Sequence, residues 1–143
     1  MKTPLRLLAF LAATTASYVP AAHAEDAAAT KSRVVIQVSD NDAGKWNLAL
    51  SNAHNVQTDL GKQNVEIEIV AYGPGIGMLK EDTPVANRVL DEMADGVHFV
   101  ACGNTMAAQK LTHDDMVKGI DYAKAGVVRL MQRQQQGWAY LRP

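Results

Sequence analysis

The chain of 143 residues contains one cysteine, Cys102, which excludes an internal disulfide. Small secreted domains often depend on disulfides, whereas this chain must rely on its hydrophobic core for stability. Lysine and arginine are few and are not clustered, and the formal net charge is −1. Nucleic acid and anionic membrane surfaces, which select strongly basic patches, are therefore not expected as partners.

The sequence also lacks an apolar run of the roughly 20 residues that span a bilayer. A shorter apolar run over residues 7–13 follows Lys2 and Arg6 and precedes Ala22-His23-Ala24. This order is typical of a secretory signal peptide that is cleaved after Ala24. We therefore expect a signal peptide over 1–24, a flexible leader over 25–32, and a periplasmic or secreted domain over 33–143. An uncleaved membrane anchor is the alternative for the first segment.

The remaining sequence alternates between short β-branched segments and amphipathic helical segments. The predicted strands are 33–38, 64–71, 97–102, 120–122 and 138–141, and the predicted helices are about 43–60, 84–95, 105–110 and 125–136. Thr83 is the expected N-cap of the second helix, and residues 72–79 before it are expected to form a loop without regular structure. Strands that alternate with helices pair in parallel, because a parallel return requires a crossover connection. The sequence predicts a three-layer α/β/α sandwich with a mainly parallel sheet of about five strands.

Ligands in open parallel sheets bind beyond the carboxyl ends of the strands, and Cys102 falls at such an end. Gly103 in the turn after it would allow a backbone geometry that a bulkier residue resists. A helix start there would offer free N–H groups, which favour an anion and lower the pKa of a thiol. The alternative is that Cys102 is a small buried core residue. The residues expected to form an anion pocket around Cys102 are Asn41, Tyr72, Gly73, Gly75, Gly77, Gly103, Asn104 and Thr105.

Two other segments contain residue types that occur in binding motifs. The glycine-rich loop over 73–77 lacks the Lys-Ser/Thr ending of a phosphate-binding P-loop, which favours a turn that lets the backbone pass close to Cys102. Thr112 followed by His113, Asp114 and Asp115 is better explained as a helix cap than as a metal site. No metal site and no cofactor are therefore expected.

Four segments occur in order along residues 33–143: WNLAL at 46–50, VAYGPG at 70–75, FVACGNT at 99–105 and GWAY at 137–140. Together they resemble the DsrE/DsrF-like family, within the wider group that includes YchN and TusD. The resemblance implies a three-layer α/β fold and a homo- or hetero-oligomer. In sulfur-relay members of the family, a cysteine after the third strand accepts and passes on sulfane sulfur as a persulfide, and Cys102 matches that position.

The resemblance predicts a sulfur carrier or sulfurtransferase, and the expected signal peptide predicts that it is exported, whereas the sulfur-relay members are cytoplasmic. Its partners would be a sulfur donor and an acceptor, each a thiol or a persulfide, and the protein would form a homo-oligomer. The main alternative is a non-catalytic module of the same fold that binds a small ligand or a protein partner. A third hypothesis is a thiol redox sensor that dimerises through Cys102.

Overall fold

A computed structural model describes residues 31–143, in which five strands alternate with four α-helices. The strands are β1 (Ser32–Val38), β2 (Val65–Ala71), β3 (His98–Cys102), β4 (Asp121–Ala123) and β5 (Ala139–Leu141). The helices are α1 (Ala43–Leu60), α2 (Ala86–Ala94), α3 (Gly103–Ala108) and α4 (Gly126–Gln135). The predicted signal peptide and residues 25–30 of the predicted leader lie outside the described residues. Ser32, which was assigned to the leader, already belongs to β1.

The five strands form one sheet in the order β4-β3-β2-β1-β5, and every pair of neighbours is parallel. Helices α1, α2 and α3 contribute to the core on one face, and α4 covers the other face. The predicted three-layer α/β/α sandwich with a parallel five-stranded sheet is therefore confirmed. None of the helices within residues 31–143 combines the length and apolar content that crossing a membrane requires.

The two faces of the sheet carry cores of very different size. Alternate residues of each strand point to opposite faces, so Ile36, Ile67 and Phe99 pack against α1 and α2 in the larger core. The smaller core lies under α4 and consists of Val35, Val70, Val100, Leu130 and Trp138, with Tyr72 and Ala123 packed against it. The α4 face therefore has little apolar area to hold its helix.

Helix α1 has the ends that its sequence predicts. The side chain of Asp42 accepts hydrogen bonds from the N–H groups of Gly44 (2.7 Å) and Lys45 (3.1 Å), which satisfies two donors of the first turn. At the other end Gly61 adopts a positive φ of 86° and donates its N–H to the carbonyl of Gln57. Local capping signals thus place this helix over the predicted residues.

Two local expectations about the segment between β2 and α2 are wrong. The loop over 72–79 is not irregular, because Gly73–Leu79 forms a 3-10 helix with Ile76, Met78 and Leu79 buried. Thr83 does not cap α2, which begins at Ala86. The side chain of Val85 is buried in the larger core, and the turn before α2 closes through a backbone hydrogen bond from Ala86 N–H to the Thr83 carbonyl.

Candidate functional site

Cys102 is the last residue of β3 and the N-cap residue of α3. Its side chain shares the α4 face of the sheet with Val100, since the two residues are two apart on one strand. Only 5% of Cys102 is exposed. The thiol thus lies at the carboxyl end of the sheet, beneath the surface rather than on it.

The first turn of α3 directs polar groups towards the sulfur. The N–H groups of Asn104 and Thr105 and the hydroxyl of Thr105 lower the pKa of the thiol. The Thr105 hydroxyl also accepts a hydrogen bond from the N–H of Gly73 (2.9 Å), which leaves its proton available for the sulfur. Cys102 is the N-cap residue of α3, but its side chain accepts no capping hydrogen bond there.

The N-terminus of α4 approaches the same sulfur from the other side. The N-cap residue of α4, Ala125, makes no capping hydrogen bond through its side chain, and the N–H of Gly126 interacts with Cys102. The approach is close: a Cβ on residue 126 would lie 3.2 Å from Cys102 Cβ and 3.1 Å from Tyr72 Cβ. Glycine at this position is what allows α4 to sit on the thiol.

Two opposing effects set the pKa of the Cys102 thiol. Burial raises it, because a thiolate loses its hydration in the protein interior. The hydroxyl of Thr105 and the N–H groups of Gly126, Thr105 and Asn104 stabilise the thiolate and together outweigh burial, so the pKa lies below its ordinary value. Buried cysteines in purely apolar surroundings show the opposite shift.

The conformational reason given for Gly103 is wrong. Its φ is not positive, and a Cβ there would meet its nearest neighbour, the carbonyl oxygen of Ala123, at 3.4 Å, an ordinary van der Waals distance. Gly103 is half-buried at the first position of α3. The demand for glycine at the thiol falls on Gly126, which the sequence reasoning did not single out.

The structure separates seven of the eight predicted pocket residues into two groups. Near the thiol, Gly103, Asn104 and Thr105 form the first turn of α3, Gly73 is hydrogen-bonded to Thr105, and Tyr72 lies against Gly126 as Cys102 does. Asn41 and Gly77 instead lie at the edge of the Trp46 ring, in a groove that Cys102 does not line.

Gly75 belongs neither to the residues near the thiol nor to the groove at Trp46, because it packs against the end of β1. A Cβ on residue 75 would lie 2.4 Å from the carbonyl oxygen of Val38, so only glycine fits against the end of β1. Gly75 thus permits a close backbone approach to β1, whereas the approach predicted for this loop was to Cys102.

An open groove of about 350 Å³ runs beside the turn that contains Cys102. Gly103, Ala123 and Lys124 line it on the side of the thiol, and Tyr122 and His113 line it further out. The two rings are stacked, with centroids 4.0 Å apart. Cys102 itself does not line this groove, which reaches the site through Gly103, the next residue in sequence.

The segment Thr112–Asp115 forms the predicted cap. The carboxylate of Asp115 accepts hydrogen bonds from the N–H of Thr112 (2.7 Å) and from its hydroxyl (2.8 Å). Across residues 31–143, no group of three His, Cys, Asp or Glu side chains converges in a way that could hold a metal ion.

Sequence reasoning missed a buried acid under α4. Glu68 lies in the middle of β2, is 1% exposed, and is bound by Arg129 and Arg133 of α4. Two signals could have revealed it: a lone carboxylate inside an apolar strand, and two arginines four residues apart on one helix face. Glu68 is more than 60 residues from each arginine in sequence, so neither signal alone identifies the contact.

Comparisons with known proteins agree with this architecture. The family model of the DsrE/DsrF-like family matches residues 32–143. MTH1491, a protein of unknown function from Methanobacterium thermoautotrophicum, has 37% sequence identity and a TM-score of 0.76, with 79% of this chain and 100% of that chain covered. None of the proteins with a curated function matches the chain.

Two more distant solved structures share the fold. BT1422, a conserved protein of unknown function from Bacteroides thetaiotaomicron, has 17% identity and a TM-score of 0.64, over 78% of this chain and 94% of that chain. The YchN protein from E. coli has 12% identity and a TM-score of 0.60, over 80% of this chain and 99% of that chain.

Proposed function

Because this chain belongs to the DsrE/DsrF-like family, we propose that it carries sulfane sulfur as a persulfide on Cys102 and transfers it to an acceptor thiol. The observation that carries the proposal is the environment of the sulfur. Two helix N-termini and the Thr105 hydroxyl meet at a buried thiol and lower its pKa. The thiolate is the form that attacks sulfur, so this environment favours the reaction near neutral pH.

The transfer consists of two exchange steps without net oxidation. The Cys102 thiolate attacks the outer sulfur of a persulfide or polysulfide, the S–S bond of the donor breaks, and the donor leaves as a thiolate. An acceptor thiolate then attacks the outer sulfur on Cys102, and Cys102 leaves as the thiolate. Because a thiol of low pKa is a good leaving group, the same hydrogen bonds assist the second step.

The groove lined by Gly103 and Lys124 would hold a small donor against the residue that follows Cys102 in sequence, although Cys102 itself does not line it. Lys124 is exposed and supplies a positive charge at its wall, which suits an anionic donor such as a polysulfide.

Mass spectrometry of the intact protein after incubation with polysulfide tests the proposal. The wild-type protein should gain about 32 Da for each sulfur atom added, and a reductant should remove the gain. The Cys102→Ser variant should remain folded and gain nothing. A wild-type protein that gains no mass, or a variant that gains as much as the wild type, contradicts the proposal.

A second candidate is a non-catalytic binding module of the same fold, and the low exposure of Cys102 favours it. The groove that contains Asn41, Gly77 and the edge of Trp46 would then hold the ligand. In that case Cys102 should react with alkylating reagents only after the protein is unfolded, since a structural cysteine is inert while the core is closed.

We further propose that the mature protein acts in the periplasm or outside the cell, after cleavage behind Ala24, and that it forms a homo-oligomer. Exposed apolar side chains on α4 support the second part: Val127 is 53% exposed, Val128 46% and Met131 53%. A single helix face with several exposed apolar side chains is a common feature of subunit interfaces.

A further inference from the structure

The carboxylate of Glu68 occupies an unusual place for a charge. It lies on β2 between Ile67 and Ile69, on the face that α4 covers, and only 1% of the residue is exposed. An isolated carboxylate would be very costly there, so it must be paired and hydrogen-bonded. The role of this side chain therefore depends on what it binds.

Glu68 binds two arginines of α4 through four hydrogen bonds. Arg129 donates from Nε to Oε1 and from Nη2 to Oε2, each at 2.8 Å. Arg133 donates to Oε2 from Nη2 at 2.6 Å and from Nε at 3.0 Å. Burial raises the pKa of Glu68, but these bonds outweigh burial and hold the pKa below its ordinary value, so the group is charged.

The ion pair is the main anchor of α4 on the sheet. Leu130 is the one apolar side chain of α4 that is buried, while Val127, Val128 and Met131 are exposed. The guanidinium of Arg133 also stacks over the Trp138 ring, 4.3 Å from its centroid, which restricts its conformation. A helix with one buried apolar side chain depends on such polar contacts for its placement.

The anchored helix ends on Cys102. Gly126 precedes Arg129 by three residues, or about 4.5 Å of helix, and it lies so close to the cysteine that a Cβ on residue 126 would be 3.2 Å from Cys102 Cβ. Glu68 itself pairs with His98 at the far end of β3, four residues from Cys102 and about 13 Å along the strand. Glu68 thus does not touch the thiol and acts on it through the position of α4.

We propose that Glu68 is a positioning residue for Cys102: it holds α4 against the sheet so that the helix N-terminus remains on the sulfur. This inference rests on the proposed function for its biological meaning, although the placement of α4 can be tested without any sulfur transfer.

The sign of the effect separates positioning from simple electrostatics. Glu68→Gln removes a negative charge and leaves Arg129 and Arg133 uncompensated, so Coulomb forces alone would stabilise the Cys102 thiolate. Loss of positioning has the opposite effect, because α4 moves and the Gly126 N–H leaves the sulfur. The two explanations predict opposite changes in the pH dependence of thiol alkylation.

The experiment measures the rate of iodoacetamide alkylation of Cys102 against pH, in folded protein, for wild type, Glu68→Gln and Glu66→Gln. Glu66 is exposed and lies two residues earlier on the same face of β2, so its substitution is the matched control for loss of one charge. We expect the Glu68→Gln profile to move to higher pH, with alkylation about tenfold slower below the midpoint and an unchanged rate at its high-pH plateau. Glu66→Gln should match the wild type within twofold.

A thiolate absorbance titration near 240 nm on the same samples, with circular dichroism to verify the fold, excludes a shift caused by partial unfolding. If Glu68→Gln does not fold, Arg133→Lys provides the test, because it keeps the charge but loses the forked contact, and it should shift the profile in the same direction by a smaller amount. A profile that stays in place or moves to lower pH overturns the inference.

Polysulfide loading of the same samples separates this inference from the proposed function. A wild-type protein that takes no sulfur while Glu68→Gln still shifts the alkylation profile supports positioning and contradicts sulfur transfer. A wild-type protein that takes up sulfur, together with an alkylation profile of Glu68→Gln that does not move, supports sulfur transfer and contradicts the positioning role of Glu68.

Discussion

The substitution Gly126→Ala tests whether the N-terminus of α4 controls the thiol. The added Cβ would lie 3.1 Å from Tyr72 Cβ, 3.2 Å from Cys102 Cβ and 3.3 Å from Val70 Cγ1. Carbon atoms in good contact are about 3.5–4.0 Å apart, so the helix must move away by roughly half an ångström. The Gly126 N–H then moves away from the sulfur, and the thiolate loses one of its donors.

The expected cost in stability follows from the same contacts. Overpacking of a buried site costs about 1–3 kcal/mol, and the helix propensity of alanine over glycine returns at most about 1 kcal/mol. We expect a net loss of about 1–2 kcal/mol in the free energy of unfolding. For a domain of this size, this corresponds to a fall of roughly 5–10 °C in Tm.

The assay combines thermal unfolding with the pH profile of Cys102 alkylation. Gly126→Ala should move the midpoint to higher pH, and alkylation below the midpoint should slow by several-fold. Gly103→Ala is the matched change, because Gly103 is the first residue of α3 and a Cβ there has ordinary contacts from 3.4 Å outwards. The reasoning is refuted if Gly103→Ala shifts the midpoint as far as Gly126→Ala, or if Gly126→Ala leaves it unmoved.

Three further predictions concern the thiol, the assembly and the export of the protein. Thr105→Val removes the hydroxyl that accepts from Gly73 N–H, so the alkylation profile should move to higher pH and stability should fall by about 1 kcal/mol, whereas Thr105→Ser should retain both. Light scattering at tens of micromolar under reducing conditions should show an oligomeric wild type and a monomeric Met131→Glu variant, because the exposed Met131 would lie in the interface. The neighbouring Gln132→Glu variant should assemble normally, and a monomeric wild type contradicts the interface. N-terminal sequencing of protein from the extracytoplasmic fraction should begin at Glu25, and a sequence that begins at Met1 is incompatible with the predicted cleavage.

Local sequence signals were sufficient to predict the fold, because most helices and strands are marked by their own residues. The β-branched run of β1, the Asp42 cap and the positive φ of Gly61 are properties of neighbouring residues, so they can be recognised without tertiary contacts. Alternation of strand and helix then leaves few topologies, since parallel crossovers are right-handed and short. The position of Cys102 at the carboxyl end of β3 follows from that topology.

Thr83 illustrates where a local signal fails. Thr83-Pro84 is a good helix start by sequence, yet the hydroxyl of Thr83 is buried without a hydrogen-bond partner among the described residues. The side chain of Val85 enters the larger core, and the helix starts after it. Burial of one apolar side chain therefore overrides a capping preference of about 1 kcal/mol.

The environment of the thiol could not be derived from local patterns, because its parts meet only in the folded chain. The contact between Gly126 and Cys102 joins a helix start to a strand end, and Gly126 has no side chain that would mark it as part of the site. Glu68 and its arginines, however, follow from a general constraint. A carboxylate in a strand whose neighbouring residues Ile67, Ile69 and Val70 are all buried requires a cation. A helix that presents two arginines four residues apart, with few apolar residues to bury, requires an anchor. Pairing these two requirements places α4 over β2, and the direction of the helix then carries its N-terminus to the carboxyl end of the sheet, where Cys102 lies.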